Sequence, residues 1–269
     1  MLAALLYVTF LQVPIRQLAR AWSNGRFVAA ALVVNFLAVP VVVAGLLPLL
    51  PDDPAVRLGV LLVLLCPCVD YVIVFTGLAG GDHRQLLAIT PLLLLVQMIA
   101  LPGYLLAFDG PSGLTDEVRP FLKALVTLIV LPLVLAALSQ AALSSERLAT
   151  IGITMVPLMA LTLLIVVASQ VPELDDLGQV LPVVPVFGLF LVVMAGDGVG
   201  VARLFRCDPA RSRAVVFTGA TRNSLVVLPL ALALPEPLSA AAVVVVTQTL
   251  VEVIGMVVYL HVVPRLVPG

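Results

Sequence analysis

Leu64-Leu65-Cys66-Pro67-Cys68-Val69-Asp70-Tyr71, followed by Phe75-Thr76-Gly77 and Gly80-Gly81, interrupts a run that is otherwise apolar and long enough to cross a bilayer. Pro67 has no amide hydrogen and its ring clashes with the preceding turn, so the helix over 56–79 is expected to kink or unwind across Cys66–Asp70. A second interruption, Thr218-Gly219-Ala220-Thr221-Arg222-Asn223-Ser224, divides the run 213–234. Five of its seven side chains are polar, and such a segment has no stable place against lipid. Broken helices in corresponding places of two halves point to a transporter site. The carbonyls, amides and half-helix dipoles freed at the breaks become ligands near the bilayer midplane.

The composition agrees with a membrane setting. Of 269 residues, 62% are apolar and 11% charged, and the mean hydropathy is +1.22, against about 45–50% apolar and 25% charged in soluble domains. A net charge of −1 provides no basic surface for nucleic acid. Three cysteines, Cys66, Cys68 and Cys207, are too few for a disulfide framework. The chain is therefore expected to be a single all-α integral membrane domain over 1–269, in contact with the lipid bilayer.

Runs of about 20 residues, the length that crosses a bilayer core, fall near 27–50, 56–79, 85–108, 120–143, 148–171, 179–203, 213–234 and 238–263. Met1–Val13 adds a shorter ninth, ending at Pro14. Arg16, Arg20, Arg26, Arg84, Arg147, Arg203, Arg206, Arg211, Arg213 and Arg265 all sort to one side of these spans. Only Arg57, Arg119 and Lys123 sort to the other, with most of the loop carboxylates. The positive-inside rule makes the Arg-rich side, and with it the C-terminus, cytoplasmic in a plasma or inner membrane. In each half a broken span is followed by a long one holding a buried polar residue: Gln97 in the first, Thr247, Gln248, Thr249 and Glu252 in the second. The layout reads as an inverted repeat, with 1–109 the first, incomplete repeat and 120–263 the second. Symmetry expects one further helix ahead of Met1.

Four ionisable residues lie at membrane depth: Asp70, Asp197, Arg222 and Glu252. Each costs roughly 2.5–3.5 kcal/mol on insertion scales and needs a partner or a cavity. Asp197 is near enough to Arg203 and Arg206 to snorkel toward them. Glu252 shares a helix face with Gln248 and Thr249, so all three can point into one groove. A protonated carboxyl at a helix interface and a proton-exchanging site are both open there. Asn35, Gln97 and Asn223 are hydrogen-bonding groups suited to line or brace the core. His83, in a Gly-Gly-Asp-His-Arg loop, reads as solvated.

Taken in order, Asn35-Phe36-Leu37-Ala38-Val39-Pro40, Cys68–Phe75 with Leu78-Ala79 and Gly81-Asp82, Thr218–Asn223, and Leu250-Val251-Glu252-Val253 resemble the bile acid/sodium symporter superfamily, most closely its arsenite permease branch. The resemblance runs from about Leu5 to Val263. It implies a ten-helix fold in which a panel domain and a core domain meet at two crossed discontinuous helices, the first helix being the one not found here. It also implies that Cys68 is a ligand to arsenic or antimony, a soft centre suited to a thiolate; the plain alternative is a small packing residue beside a kink. Cys66 joins it only if Pro67 unwinds the turn. Thr218, Asn223 and Asn35 then line the substrate site. Asp70 and Arg222 would face each other across the crossing, as a structural ion pair, as a proton switch, or as both, with Arg222 filling the site that sodium occupies in relatives. Two positions depart from the pattern. Leu225 stands where the arsenite branch has a glutamate, and Phe217 where the sodium-coupled branch has an acidic residue.

There is no nucleotide-binding loop, zinc pair or nucleophile elbow, and no cofactor is implied. The chain is thus expected to be a secondary transporter and not an enzyme. Proton-coupled efflux of arsenite or antimonite is the leading expectation. A symporter of small organic anions driven by protons or sodium is the alternative, with Arg222 holding the carboxylate. A membrane interaction or sensor protein that no longer transports is a third.

Overall fold

The computed structural model describes residues 25–68, 71–109, 131–142, 181–232, 234 and 236–269, together with Tyr7 and Leu11. Among these residues the chain is helical, with no strand. The long apolar helices are α1 (Gly25–Leu49), α4 (His83–Asp109), α6 (Val184–Leu204) and α9 (Ala240–Leu266). Each is long and apolar enough to cross a membrane. Between them lie the shorter α2 (Pro54–Leu64), α3 (Val72–Leu78), α5 (Leu131–Ala142), α7 (Pro209–Ala220) and α8 (Ser224–Leu232). The expected spans at Met1–Val13 and 148–171 lie outside the described residues, apart from Tyr7 and Leu11, as does Asp70.

Both expected breaks are present. The first helix of the interrupted run stops at Leu64 and the second begins at Val72. The later break is shorter than its polar stretch, because Thr218 and Gly219 still belong to α7 and only Thr221–Asn223 separate α7 from α8. Two helix starts are fixed locally in the same way. Asp53 precedes Pro54 and its Oδ1 accepts from the amides of Ala55 at 2.8 Å and Val56 at 3.0 Å. Asp208 precedes Pro209 and accepts from the Arg211 amide at 3.0 Å. A carboxylate at the cap satisfies orphan amides, and proline at the next position has no amide to lose.

Bare backbone sets the closest packing. A Cβ on Gly59 of α2 would lie 2.9 Å from the Ala241 carbonyl oxygen of α9, and one on Gly198 of α6 would lie 2.8 Å from Val216 Cα of α7. Helices in lipid have no hydrophobic drive to associate and gain by such close approach. The helices bury Phe27, Val34, Leu62, Phe187, Phe190 and Phe217 inside. Val41, Ile99, Val192 and Ile254 point outward, as lipid-facing positions do. At one end Arg213 binds the carbonyls of Ala79 and Val267, both at 3.1 Å, and Arg211 lies 3.9 Å from Asp82. Loops assigned to the same side by the charge count therefore meet in space.

Candidate functional site

The two breaks cross each other. Pro67 and Arg222 form an isolated antiparallel bridge. The Cys68 amide donates to the Thr221 carbonyl at 3.1 Å, and the Asn223 amide to the Cys66 carbonyl at 2.8 Å. Each break leaves backbone groups without an intrahelical partner, which in hydrocarbon costs several kcal/mol per group. Here each break satisfies the other.

Arg222 is fully buried at this crossing, the largest such side chain among the described residues. Its Nη1 donates to the Leu64 carbonyl at 3.1 Å. Its Nη2 donates to Asn35 Oδ1 at 3.1 Å and to the carbonyls of Thr218 at 2.9 Å and Gly219 at 2.5 Å. The three carbonyls belong to the last turns of α2 and α7, where orphan acceptors and the negative ends of the helix dipoles gather. The Phe190 ring closes one side, its centroid 5.6 Å from the guanidinium carbon, in the geometry of a cation–π contact. Nε has no partner among the described residues. The guanidinium thus occupies a cluster of oxygens drawn from three helices, and does so as a cation covalently tied to the chain.

Asn35 reaches the cluster because α1 widens into a π turn over Val34–Ala38. Such turns recur at functional sites, since they release backbone groups and redirect a side chain. The Asn35 amide nitrogen donates to the Ala31 carbonyl at 3.0 Å and to Thr218 Oγ1 at 3.2 Å, which holds its oxygen toward Arg222. In the same turn the Phe36 carbonyl accepts from the Tyr104 hydroxyl at 2.6 Å.

Glu252 is fully buried on α9. Its Oε2 accepts from the Arg222 amide at 2.9 Å and from Gln248 Nε2 at 2.5 Å, and its Oε1 bonds to the Tyr71 hydroxyl. Glu252 therefore holds the backbone of Arg222 while the arginine side chain points to the other helix ends. The shared face predicted for Gln248 and Glu252 is real. The Thr249 hydroxyl bonds back to the Val245 carbonyl at 2.9 Å, the usual recourse of a threonine inside a helix.

Cys66 and Cys68 are buried and not joined in a disulfide, on either side of Pro67, and both lie within electrostatic reach of Arg222. Asn223 caps α8, its Oδ1 accepting from the Val226 amide at 3.2 Å, while its Nδ2 is buried and without a partner among the described residues. Cys66, Cys68, Thr218, Asn223, Asn35, Arg222 and Glu252 thus collect on the crossing or against it. Asp70, expected opposite Arg222, lies outside the described residues. Asp197 is half-buried and, among the described residues, pairs neither with the crossing nor with Arg203. Gln97 is buried on α4, with its Oε1 unpartnered among the described residues.

Tyr71 and Phe190 were not anticipated as parts of the site; carbonyls freed at the breaks were expected as ligands, but not which ones or that they would hold Arg222. Tyr71 was visible in the first broken stretch, and a tyrosine hydroxyl held below an interface needs a partner. Carbonyls leave no mark in a sequence.

A family model described as the SBF-like CPA transporter family matches residues 4–266 of the chain. No curated protein matches it.

Proposed function

The chain belongs to the SBF-like CPA transporter family, and from that premise we propose that it is a secondary active transporter driven by protons through Glu252. The observation that carries this reading is the cation cluster around Arg222. Its oxygens already hold a positive charge fixed to the chain, so an external sodium ion has no place to bind and leave in this cluster. Among the described residues, the exchangeable charge at the crossing is then the proton of Glu252. A carboxyl at membrane depth is kept there by hydrogen bonds and loads or releases a proton as hydration changes. A cytoplasmic C-terminus in a cell membrane is part of this reading, and the arginine-rich loops support it through the positive-inside rule.

For the substrate, arsenite or antimonite is the reading we propose first. It is supported by two buried thiols flanking Pro67 at the crossing and by the affinity of soft sulfur for such a centre. A thiol would exchange for one hydroxide ligand of As(OH)3. An S–As bond forms, an As–O bond breaks, and the thiol proton leaves with hydroxide as water.

A small organic anion is the second reading. Two buried donors without partners among the described residues, Arg222 Nε and Asn223 Nδ2, favour it. Everted vesicles with an imposed proton gradient test both. The first reading expects arsenite uptake that disappears in Cys68→Ser and is the same in sodium and choline buffers. Sodium-dependent uptake would overturn the reading of the cation cluster. Arsenite flux unaltered by Cys68→Ser would remove the thiol reading, and an anion flux lost in Asn223→Ala would establish the second.

A further inference from the structure

Glu252 is wholly enclosed, and its three partners differ in how far they reach the surface. Arg222 and Gln248 are buried, whereas Tyr71 is half-buried and stands where α3 begins, at the end of the first break. Its ring leans edge-on against Phe75, with centroids 6.3 Å apart. The Tyr71 hydroxyl lies between two acceptors, Glu252 Oε1 and the carbonyl of Arg222 at 3.3 Å. One hydroxyl carries one proton and can donate to one of them at a time.

The occupancy of Glu252 decides which. When the carboxyl is ionised it is the stronger acceptor, Tyr71 donates to it, and the Arg222 carbonyl is released. When Oε1 carries a proton, the carboxyl donates to the Tyr71 oxygen, and Tyr71 turns its own proton to the Arg222 carbonyl. The start of α3 is then tied to the second break. A proton on Oε1 leaves Oε2 as an acceptor, so the bonds it receives from the Arg222 amide and Gln248 need not break in either state.

We propose that Tyr71 is the relay through which Glu252 exchanges its proton, and the positioning residue that turns that proton into a bond between the two broken helices. The inference rests on the proton-coupled reading above. In the release step the O–H bond of Glu252 breaks and one forms on Tyr71, while the proton Tyr71 had given to the Arg222 carbonyl leaves to water. Tyr71 ends neutral, donating to the carboxylate. Among the described residues, the titratable groups around Glu252 are Tyr71 at the start of α3, Arg222 from the second break with Cys66 and Cys68 beside it, and Tyr259 on α9 itself. Arg57 of α2 is bound at that helix's far end to Asp52 and the Pro51 carbonyl. In α6, Asp197 and Arg203 make no hydrogen bond to the cluster among the described residues, in α7 Arg211 and Arg213 sit at the opposite end, and α8 has no titratable side chain.

Infrared spectroscopy of the full chain in lipid tests the relay, with Glu252→Gln identifying the Glu252 carboxyl band. Tyr71→Phe keeps the ring and removes the relay oxygen. Its Glu252 band is expected to exchange deuterium roughly a hundredfold more slowly than in the wild type. Tyr71→His, which also carries a proton, is expected to restore exchange. Exchange at the wild-type rate in Tyr71→Phe would overturn the proposal. Should Tyr71→Phe fail to fold, 3-fluorotyrosine at position 71 has nearly the same shape and a more acidic hydroxyl. It is expected to move the pH profile of transport to lower pH, and an unmoved profile overturns the relay. A wild-type Glu252 band that never titrates would instead defeat the proton-coupled reading, whatever Tyr71 does.

Discussion

Arg213 and Arg222, nine residues apart at the two ends of the same stretch, do the same chemistry in different solvents. Each gives its guanidinium to backbone carbonyls at helix ends: Arg213 to Ala79, Gly80 and Val267, and Arg222 to Leu64, Thr218 and Gly219. Arg213 is half-exposed, and water competes for every one of its bonds. Arg222 is fully enclosed, with Asn35 and Phe190 completing its shell. A charge near water ties loops together at little cost or gain. A charge without water must have every partner in place, and the helix ends that supply them become coupled to each other. What separates a staple from a site is therefore burial, since the donor and acceptor types are the same.

Removing the guanidinium at each end breaks the comparison most directly. Arg222→Met leaves three helix-end carbonyls and Asn35 Oδ1 facing an apolar side chain. It is expected to destabilise the protein by more than about 3 kcal/mol and to abolish transport, read from thermal unfolding in detergent and from vesicle flux. Gly198→Val acts on both ends at once, because its Cβ would lie 2.8 Å from Val216 Cα, between the two arginines on α7. A cost of about 1–3 kcal/mol is expected, with transport falling further than stability because the displaced helix end carries the Arg222 cluster. Arg213→Met is expected to cost about 1 kcal/mol or less, and its flux should stay near that of the wild type. A deficit as large as that of Arg222→Met would show the two arginines to be equivalent.

The smallest effect is chemical and leaves stability unchanged. Cys207 lies near the Arg213 end and is half-buried, and burial, with Asp208 beside it, holds its thiol above the ordinary range. A raised pKa means less thiolate at neutral pH. A water-soluble maleimide is expected to label Cys207 slowly at pH 7 and faster as the pH rises, while Cys66 and Cys68 at the Arg222 end stay unlabelled. Labelling of Cys207 from the cytoplasmic face alone would confirm the sidedness read from the loop charges. Mass spectrometry of labelled peptides reads each cysteine separately.

What the residues revealed in advance follows from the kind of interaction involved. Both breaks were legible, since Pro67 removes a donor and the run Thr218–Ser224 is too polar for lipid. The Gln248–Glu252 contact was legible from a spacing of four on a helix. The partners of Arg222 were not. Three of its four acceptors are carbonyls, which every residue has, and the fourth depends on a local change of helix type around Asn35. A charged side chain announces that it needs partners and leaves open whether they are side chains or main chain. The acceptor of Thr249 was likewise not legible, since a threonine hydroxyl finds one a turn back on its own helix.

The π turn over Val34–Ala38 sets a condition on how the gene can drift. A wider turn accommodates an extra residue in an otherwise α-helical register, and one residue corresponds to about 100° of rotation about the axis. Deleting Leu37, an outward-facing position, would leave the hydropathy and very nearly the length of the span untouched. The helix would close to regular geometry, and Asn35 and everything after the turn would no longer share their present phase. Leu37 is thus expected to tolerate many substitutions and no deletion: at this position the protein reads the count of residues more strictly than their identity.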